Sequence, residues 1–281
     1  MNFHVLYNPL SGHVASQPVE SELKALLPND EFELNDVTKL NLHEYLTALG
    51  ESETVLLVGG DGTLNRFIND SGDLLGKHSV YYYAAGNGND FWSDIGRKRG
   101  DAPVCIDEYL KNLPVVTVNG RTQKFLNGIG FGIDGYCCEV GDKLRAANKP
   151  VNYTSIAIKG LLFHFKPRTA KVTVDGKEHV FKKVWIAPTM NGRYYGGGMI
   201  PTPAQERLGS DKKVSACIMY GKGKLRTLIA FPTIFKGEHV KKTNMVKVFS
   251  GKEITVKFYK PCALQIDGET VLGVTEYTVR V

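Results

Sequence analysis

The chain has 281 residues, 42% hydrophobic and 23% charged, with 30 Gly and 12 Pro, which suits one large domain or two of ordinary size and excludes a wholly disordered or fibrous chain. Its net charge of +6 conceals a split: residues 1–120 hold 8 Lys and Arg against 17 Asp and Glu, a net of −9, and the rest hold 27 against 12, a net of +15. Charge alone therefore places a junction near residue 120, and the basic half suits either an anionic surface or Lys-rich strands kept from aggregating. Five Cys without a CxxC pair suggest neither a disulfide framework nor a zinc site. No apolar run approaches the ~18 residues of a spanning helix, and the start MNFHVLYNPLSG lacks the regions of a signal peptide. The expectation is a soluble cytoplasmic protein of a reducing compartment, with no transmembrane segment.

The first half alternates strands and helices. Phe3 to Tyr7 reads as a strand followed by a turn, and Val19, Leu23, Leu26 and Leu27 recur at helical spacing, as do Leu42, Tyr45, Leu46 and Leu49. Thr54 to Val58 is a buried-type strand running into Gly59-Gly60, after which Leu64, Phe67 and Ile68 open a helix. Val80 to Ala84 is a further strand, ending at Gly86-Asn87-Gly88. Strand, glycine turn and helix in repetition predict a parallel sheet covered on both faces. A helical region spans roughly Gly135 to Phe165, and its apolar run Ile156 to Phe165, flanked by Lys159, Lys166 and Arg168, suits either a core helix or a membrane contact. Short β-type runs then recur at 171–174, 180–187, 214–220, 245–249, 254–259, 263–266 and 277–281, with Asp175-Gly176 as a hairpin signal. The second half is expected to be an antiparallel sandwich or barrel.

Ligands of α/β sheets bind outside the carboxyl ends of the strands. Three polar glycine turns fall at such ends: Asn8 to Gly12, Gly59 to Asn65 and Gly86 to Asp90. Glycine lets a ligand approach the backbone, whose N–H groups bind anions. None of the three is a P-loop or a GxGxxG turn. Gly59-Gly60-Asp61-Gly62-Thr63 sets an acid among glycines, where it would repel bare phosphate unless a Mg²⁺ stood between them. The alternative is that Asp61 caps a turn.

VGGDGTLN at 58–65 resembles the nucleotide-binding motif shared by diacylglycerol, sphingosine and NAD kinases and phosphofructokinases. NPLSG at 8–12 and AGNGNDF at 85–91 resemble turns of the diacylglycerol/sphingosine kinase branch, and so do the stretch 127–135, the loop NGRYYGGGM at 191–199 and Asp267-Gly268-Glu269. These segments run in family order over nearly the whole chain. The resemblance implies an α/β nucleotide-binding domain, residues 1–120, followed by a β-sandwich lipid domain, residues 121–281, with the active site in the cleft between. It implies an ATP- and Mg²⁺-dependent kinase that phosphorylates a lipid hydroxyl, with a diacylglycerol-like or long-chain-base acceptor.

The resemblance also assigns roles. Asn8, Pro9, Ser11, Gly12, Gly59, Gly60, Gly62, Thr63, Asn65 and Asn87 would hold ATP, with Thr38 on the adenosine side. Asp61, Asp90 and Asp134 would surround the catalytic Mg²⁺ through water, and Asp211 would belong to a structural cation site. Asp267 is the first candidate for general base, with Glu269 as its partner or the base itself; a plain hairpin tip is the alternative. Arg193, Tyr194 and Tyr195 would line the acceptor side, unless the tyrosines simply pack. Asn87 stands where the family has threonine, and Lys212 replaces a glycine after Asp211, bringing a positive charge to that cation site. The implied partner is lipid at an anionic membrane surface, met peripherally, and oligomeric state is left open, a homodimer included. An NAD kinase-like enzyme is opposed by NPLSG and YYGGGM, and a non-catalytic nucleotide- or lipid-binding member is allowed by Asn87 and Lys212. Nucleic acid is not expected, for want of any motif.

Overall fold

The computed structural model describes residues 1–11, 19–50, 52–86 and 88–281, so the expectations for Gly12 and Asn87 concern residues outside those described. Two compact units divide the chain, Met1–Leu113 and Pro114–Val281. The N-terminal unit runs β1 (Asn2–Tyr7), α1 (Val19–Leu26), β2 (Glu31–Asp36), α2 (Leu42–Ala48), β3 (Thr54–Gly59), α3 (Asp61–Asp70), β4 (Ser79–Ala84), α4 (Asp90–Asp94), β5 (Val104–Cys105) and α5 (Asp107–Leu110). Its sheet has the order β2-β1-β3-β4-β5. The first four strands are parallel and the two-residue β5 is antiparallel to β4. Apart from Thr54, the central strand TVLLVG is buried throughout, as a strand covered on both faces must be. Leu64, Phe67 and Ile68 bury one stripe of α3.

The C-terminal unit runs β6 (Val115–Val118), β7 (Arg121–Lys124), β8 (Gly128–Gly132), α6 (Ile133–Ala146), α7 (Tyr153–Lys159), β9 (Arg168–Val174), β10 (Lys177–Val184), β11 (Ile186–Met190), β12 (Val214–Met219), α8 (Lys224–Ala230), β13 (Val246–Gly251), β14 (Glu253–Ile266) and β15 (Glu269–Arg280). Every pairing here is antiparallel, in the order β13-β12-β11-β8-β14-β15-β6-β7, with β9 joining β14 to β10. The long β14 serves two layers: 254–258 pairs with β9 and 264–266 with β8, with register shifts between. Bulges are the usual means of bending a strand from one layer into another. Because β6 bonds β15, the division falls at Leu113, earlier than the charge pattern places it.

Alternation along β8 positions the start of α6. Ile129 and Phe131 enter one apolar core. Gly130 and Gly132 face the other way. A Cβ on Gly130 would stand 1.8 Å from the Asp134 carboxylate, and one on Gly132, at φ +113, would stand 2.3 Å from the Trp185 carbonyl. On β12, Val214, Ala216 and Ile218 join the first core, whereas Cys217 and Met219 join a second that also contains Ile133, Ile156, Leu161 and Phe165. The helical region expected over 135–165 is interrupted after Ala146 by Asn148, at φ +54, and by Pro150; after α7 it ends in a single π turn, Gly160–His164. No helix among the described residues is long and apolar enough to cross a membrane.

A Cβ on Gly135 would lie 2.2 Å from the Ala263 carbonyl of β14, so α6 rests on that strand backbone to backbone. Gly135→Ala is therefore expected to cost about 1–3 kcal/mol through overpacking, against the ~1 kcal/mol gain that helix propensity alone gives. The denaturant midpoint reads the sign, and an unchanged or raised midpoint would show that α6 and β14 part freely.

Candidate active site

The N-terminal candidates gather at the carboxyl edge of the parallel sheet, beyond the ends of β1, β2, β3 and β4. Asn8 Nδ2 donates to Thr63 Oγ1 at 3.0 Å, and Ser11 Oγ lies 3.2 Å from the same hydroxyl. The turn after β1 is thereby tied to the first turn of α3. Within that turn the Asn8 side chain accepts from the Leu10 N–H and its carbonyl accepts from the Ser11 N–H. Pro9 occupies the turn between them. Thr63 and Asn65 are buried, and Gly60 caps α3 without a side-chain hydrogen bond, so the amides of Gly62 and Thr63 meet no side-chain cap among the described residues. Gly60 and Gly86 meet backbone to backbone: a Cβ on Gly86 would stand 2.5 Å from Gly60 Cα. A Cβ on Gly59 would strike the Thr63 side chain at 2.6 Å, whereas Gly62 faces open space. Thr38 is exposed at the end of β2, its hydroxyl donating to Asp36 Oδ1 at 2.6 Å; that bond is the main cause holding the Asp36 carboxyl below its ordinary range.

Asp61 does not stand alone among its glycines. Its Oδ2 accepts from the Asp90 N–H at 2.6 Å and its Oδ1 from the Phe91 N–H at 3.1 Å. It thus caps α4 across the sheet edge. A cation would meet this carboxylate through water, because both oxygens already serve amides. Asp90 is buried beside it, and Asn89, in the left-handed region at φ +42, donates to the Gly86 carbonyl while its Oδ1 is buried with no partner among the described residues. Glycines in close approach, helix amides without a side-chain cap among the described residues, two carboxylates and an orphaned acceptor fit a phosphate group with its divalent cation. No three His, Cys, Asp or Glu among the described residues cluster so as to hold a metal directly.

In the C-terminal unit Asp267 and Gly268 both have positive φ, +46 and +91, the pattern of a type I′ hairpin turn. The Asp267 carboxylate accepts from three backbone N–H groups: Leu126 at 2.5 Å, Asn127 at 2.8 Å and Gly128 at 2.9 Å. It anchors the turn entering β8, a position that leaves it poorly placed to take a proton from a substrate. Two residues on, Glu269 begins β15 opposite Ile266 and is exposed, its carboxylate making no hydrogen bond or ion pair among the described residues. The carbonyl side of the same turn is held by Arg207, which the sequence did not single out, and by Asn191, the first residue of the NGRYYGGGM loop. Arg207 donates to the Leu126 carbonyl and, at 2.9 Å, to Asn127 Oδ1, and Asn191 Nδ2 reaches the Leu126 carbonyl at 2.9 Å. Arg207 leaves no signal beyond an Arg that follows Leu126 by 81 residues.

Asp134 lies buried in the first turn of α6, with Tyr195 donating to its Oδ2 at 3.2 Å and its Oδ1 unpartnered among the described residues. Burial pushes its carboxyl up to about 7. Tyr195, expected on the acceptor side, is instead buried and committed to Asp134, its phenol raised chiefly by the same burial. Gly196, Gly197 and Gly198 all have positive φ, which lets the chain turn back so that Tyr195 and Met199 pair. Arg193 stands 5.7 Å from the centre of the Tyr194 ring. Asp211, where a structural cation would bind, pairs with Lys213 at 2.9 Å, and Lys212 beside it in the chain and Lys252 add positive charge.

Residues 2–117 match the family described as the diacylglycerol kinase catalytic domain, and residues 127–281 match the YegS C-terminal NAD kinase beta sandwich-like domain. A diacylglycerol kinase of Mycobacterium tuberculosis is 25% identical over 84% of this chain and 78% of its own length. A diacylglycerol kinase of Bacillus subtilis strain 168 is 24% identical over 79% of this chain and 73% of its own. A diacylglycerol kinase structure from Bacillus anthracis shares the fold, with a TM-score of 0.61 at 16% identity over 99% of this chain and 93% of that one.

Asp134 yields a pH signature. In cation-free protein the fold keeps its proton up to about pH 7, whereas the unfolded chain loses it near pH 4. In that window the native state binds more protons, so this site's contribution falls as pH rises from about 4 to about 7, then levels off. Asp134→Asn should erase that slope and be more stable than the parent at about pH 8. A parent-minus-variant difference in denaturant midpoint that stays flat across the window would refute the assignment.

Proposed function

The chain belongs to the diacylglycerol kinase-like lipid kinase family, and from that premise we propose that it transfers the γ-phosphate of ATP to a lipid hydroxyl with the help of Mg²⁺. The acceptor is diacylglycerol-like or a long-chain base, met peripherally at a membrane from the cytoplasm. The observation that carries this reading is the approach of Gly60 to Gly86 at the start of α3, beside the Asn8–Thr63–Ser11 linkage. Phosphoryl transfer asks for positioning and charge neutralisation more than for covalent chemistry. The open amides at Gly62 and Thr63 bind phosphate oxygens, and the Asn8 and Ser11 side chains fix the hydroxyl of Thr63 beside them.

Asp61 and Asp90, with the Asn89 side-chain carbonyl, would hold Mg²⁺, which when bound offsets the negative charge of the phosphates. Asp134, with its unsatisfied oxygen, is the C-terminal unit's own candidate cation ligand. Glu269 is the general base. Its carboxylate takes the proton from the lipid hydroxyl as the hydroxyl oxygen bonds to the γ-phosphorus. The bond from that phosphorus to the β–γ bridging oxygen breaks, and ADP leaves. Asp267 positions this base by fastening the preceding turn to the amides of Leu126, Asn127 and Gly128.

Labelled ATP and Mg²⁺ incubated with a mixed lipid extract should give a labelled, organic-soluble product; none from any extract, with nucleotide binding intact, would overturn the reading. Glu269→Gln should lower kcat by about 10²–10⁴-fold with nucleotide affinity unchanged. Asp267→Asn keeps a residue that tolerates the left-handed backbone but offers one acceptor oxygen to three N–H groups, so it should cost about 1–3 kcal/mol of stability. Full turnover in Glu269→Gln would remove it as the base, and an unchanged denaturant midpoint in Asp267→Asn would remove the anchor.

A further inference from the structure

The basic excess of the C-terminal unit is concentrated. Segments 143–174 and 212–237 hold 13 Lys and Arg and not one Asp or Glu. These segments meet: α8 packs against the π turn that follows α7, and Lys224 Nζ donates to the Leu162 carbonyl at 2.8 Å. Each element buries one face and leaves large apolar groups on the other. Ile156, Leu161 and Phe165 point into the core, while Phe163 is 71% exposed. Thr227 and Ala230 are buried on α8, while Leu225 and Ile229, one turn apart, are 69% and 67% exposed. Lys159, Lys166, Arg226 and Lys236, on or next to the same segments in the chain, are exposed with no ion-pair partner among the described residues. Exposed apolar side chains grouped in this way mark an interaction surface.

We propose that this face, formed by the α7–π turn segment and α8, docks the protein on an anionic bilayer. Phe163, Leu225 and Ile229 enter the boundary between headgroups and acyl chains, while Lys159, Lys166, Arg226 and Lys236 meet the anionic headgroups. Charge decides the occupant: exposed cations on two segments that carry no acid, beside apolar side chains, with the acids Glu139 and Asp142 of the adjoining α6 already paired to Lys143 and Arg145, complement an anionic lipid surface. The choice of a bilayer over a protein partner rests on the lipid-kinase reading.

The test is flotation of the full chain with vesicles of phosphatidylcholine containing phosphatidylglycerol, compared with phosphatidylcholine alone. Binding is expected to the anionic vesicles and to weaken as salt rises. Phe163→Ser/Leu225→Ser/Ile229→Ser and, separately, Lys159→Glu/Arg226→Glu should each weaken it by about tenfold or more, with thermal unfolding unchanged because every altered side chain is exposed. Both variants should phosphorylate lipid dispersed in detergent micelles at the parental rate and lose rate only on vesicles. Parental binding by either variant, equal binding of the parent to neutral vesicles, or a dimer that these variants dissolve in a protein that binds no vesicle, would overturn the proposal. If the parent binds anionic vesicles through this face but phosphorylates no lipid in micelles or vesicles, docking stands and the kinase reading fails.

Discussion

Carboxylates clamped onto backbone amides organise both halves of this protein. Asp61 holds the first N–H groups of α4, and Asp267 holds three consecutive N–H groups entering β8. Each brings together segments far apart in the chain at the place where a strand ends and a polar turn begins. A charge-assisted bond to an amide is roughly twice as strong as a neutral one, and a backbone N–H left unpaired away from water is costly. The acids that define the motifs are therefore structural members of their own turns. Removing either disturbs the turn before it touches any reaction.

This dual use divides the labour within the Asp267-Gly268-Glu269 turn. The first carboxylate is spent on amides and fixes a type I′ bend, and the second, freed by the bend, faces solvent. The same economy governs the glycines. Those at 60 and 86 let two backbones touch, and those at 130 and 132 let α6 begin against a strand. A methyl group at any of these four positions would open a gap where the geometry needs contact.

The elements that were legible in the sequence are those whose burial pattern is simple. The apolar run TVLLVG announces β3, and Leu64, Phe67 and Ile68 announce α3. The strand β2 was not legible, because EFELND sits at a sheet edge and is mostly polar and exposed. Neither was β8, whose GIGFG spends alternate positions on close approach rather than on apolar side chains. At the site, the motifs located Asn8, Ser11, Thr63 and Asp61, but pairings across 61 residues, such as Tyr195 with Asp134, leave no spacing signal. Arg207 was missed for the same reason: it answers two carbonyl-side acceptors of a turn 80 or more residues earlier.

The pairing of β6 with β15 has a consequence for synthesis on the ribosome. The N-terminal unit is contiguous, so all its strands have emerged by Leu113, and its neighbouring strands lie close in the chain. The C-terminal sheet joins its opening strand to its last one, Val115–Val118 with 277–280. β6 can pair at once with the adjacent β7, but its other edge stays open until β15 has been made. Such long-range closure is slow, and the interval exposes apolar β-rich chain to aggregation. Synthesis thus passes through a stage in which all the N-terminal strands are present while the C-terminal sheet still awaits the β14–β15 hairpin that covers the edge of β6.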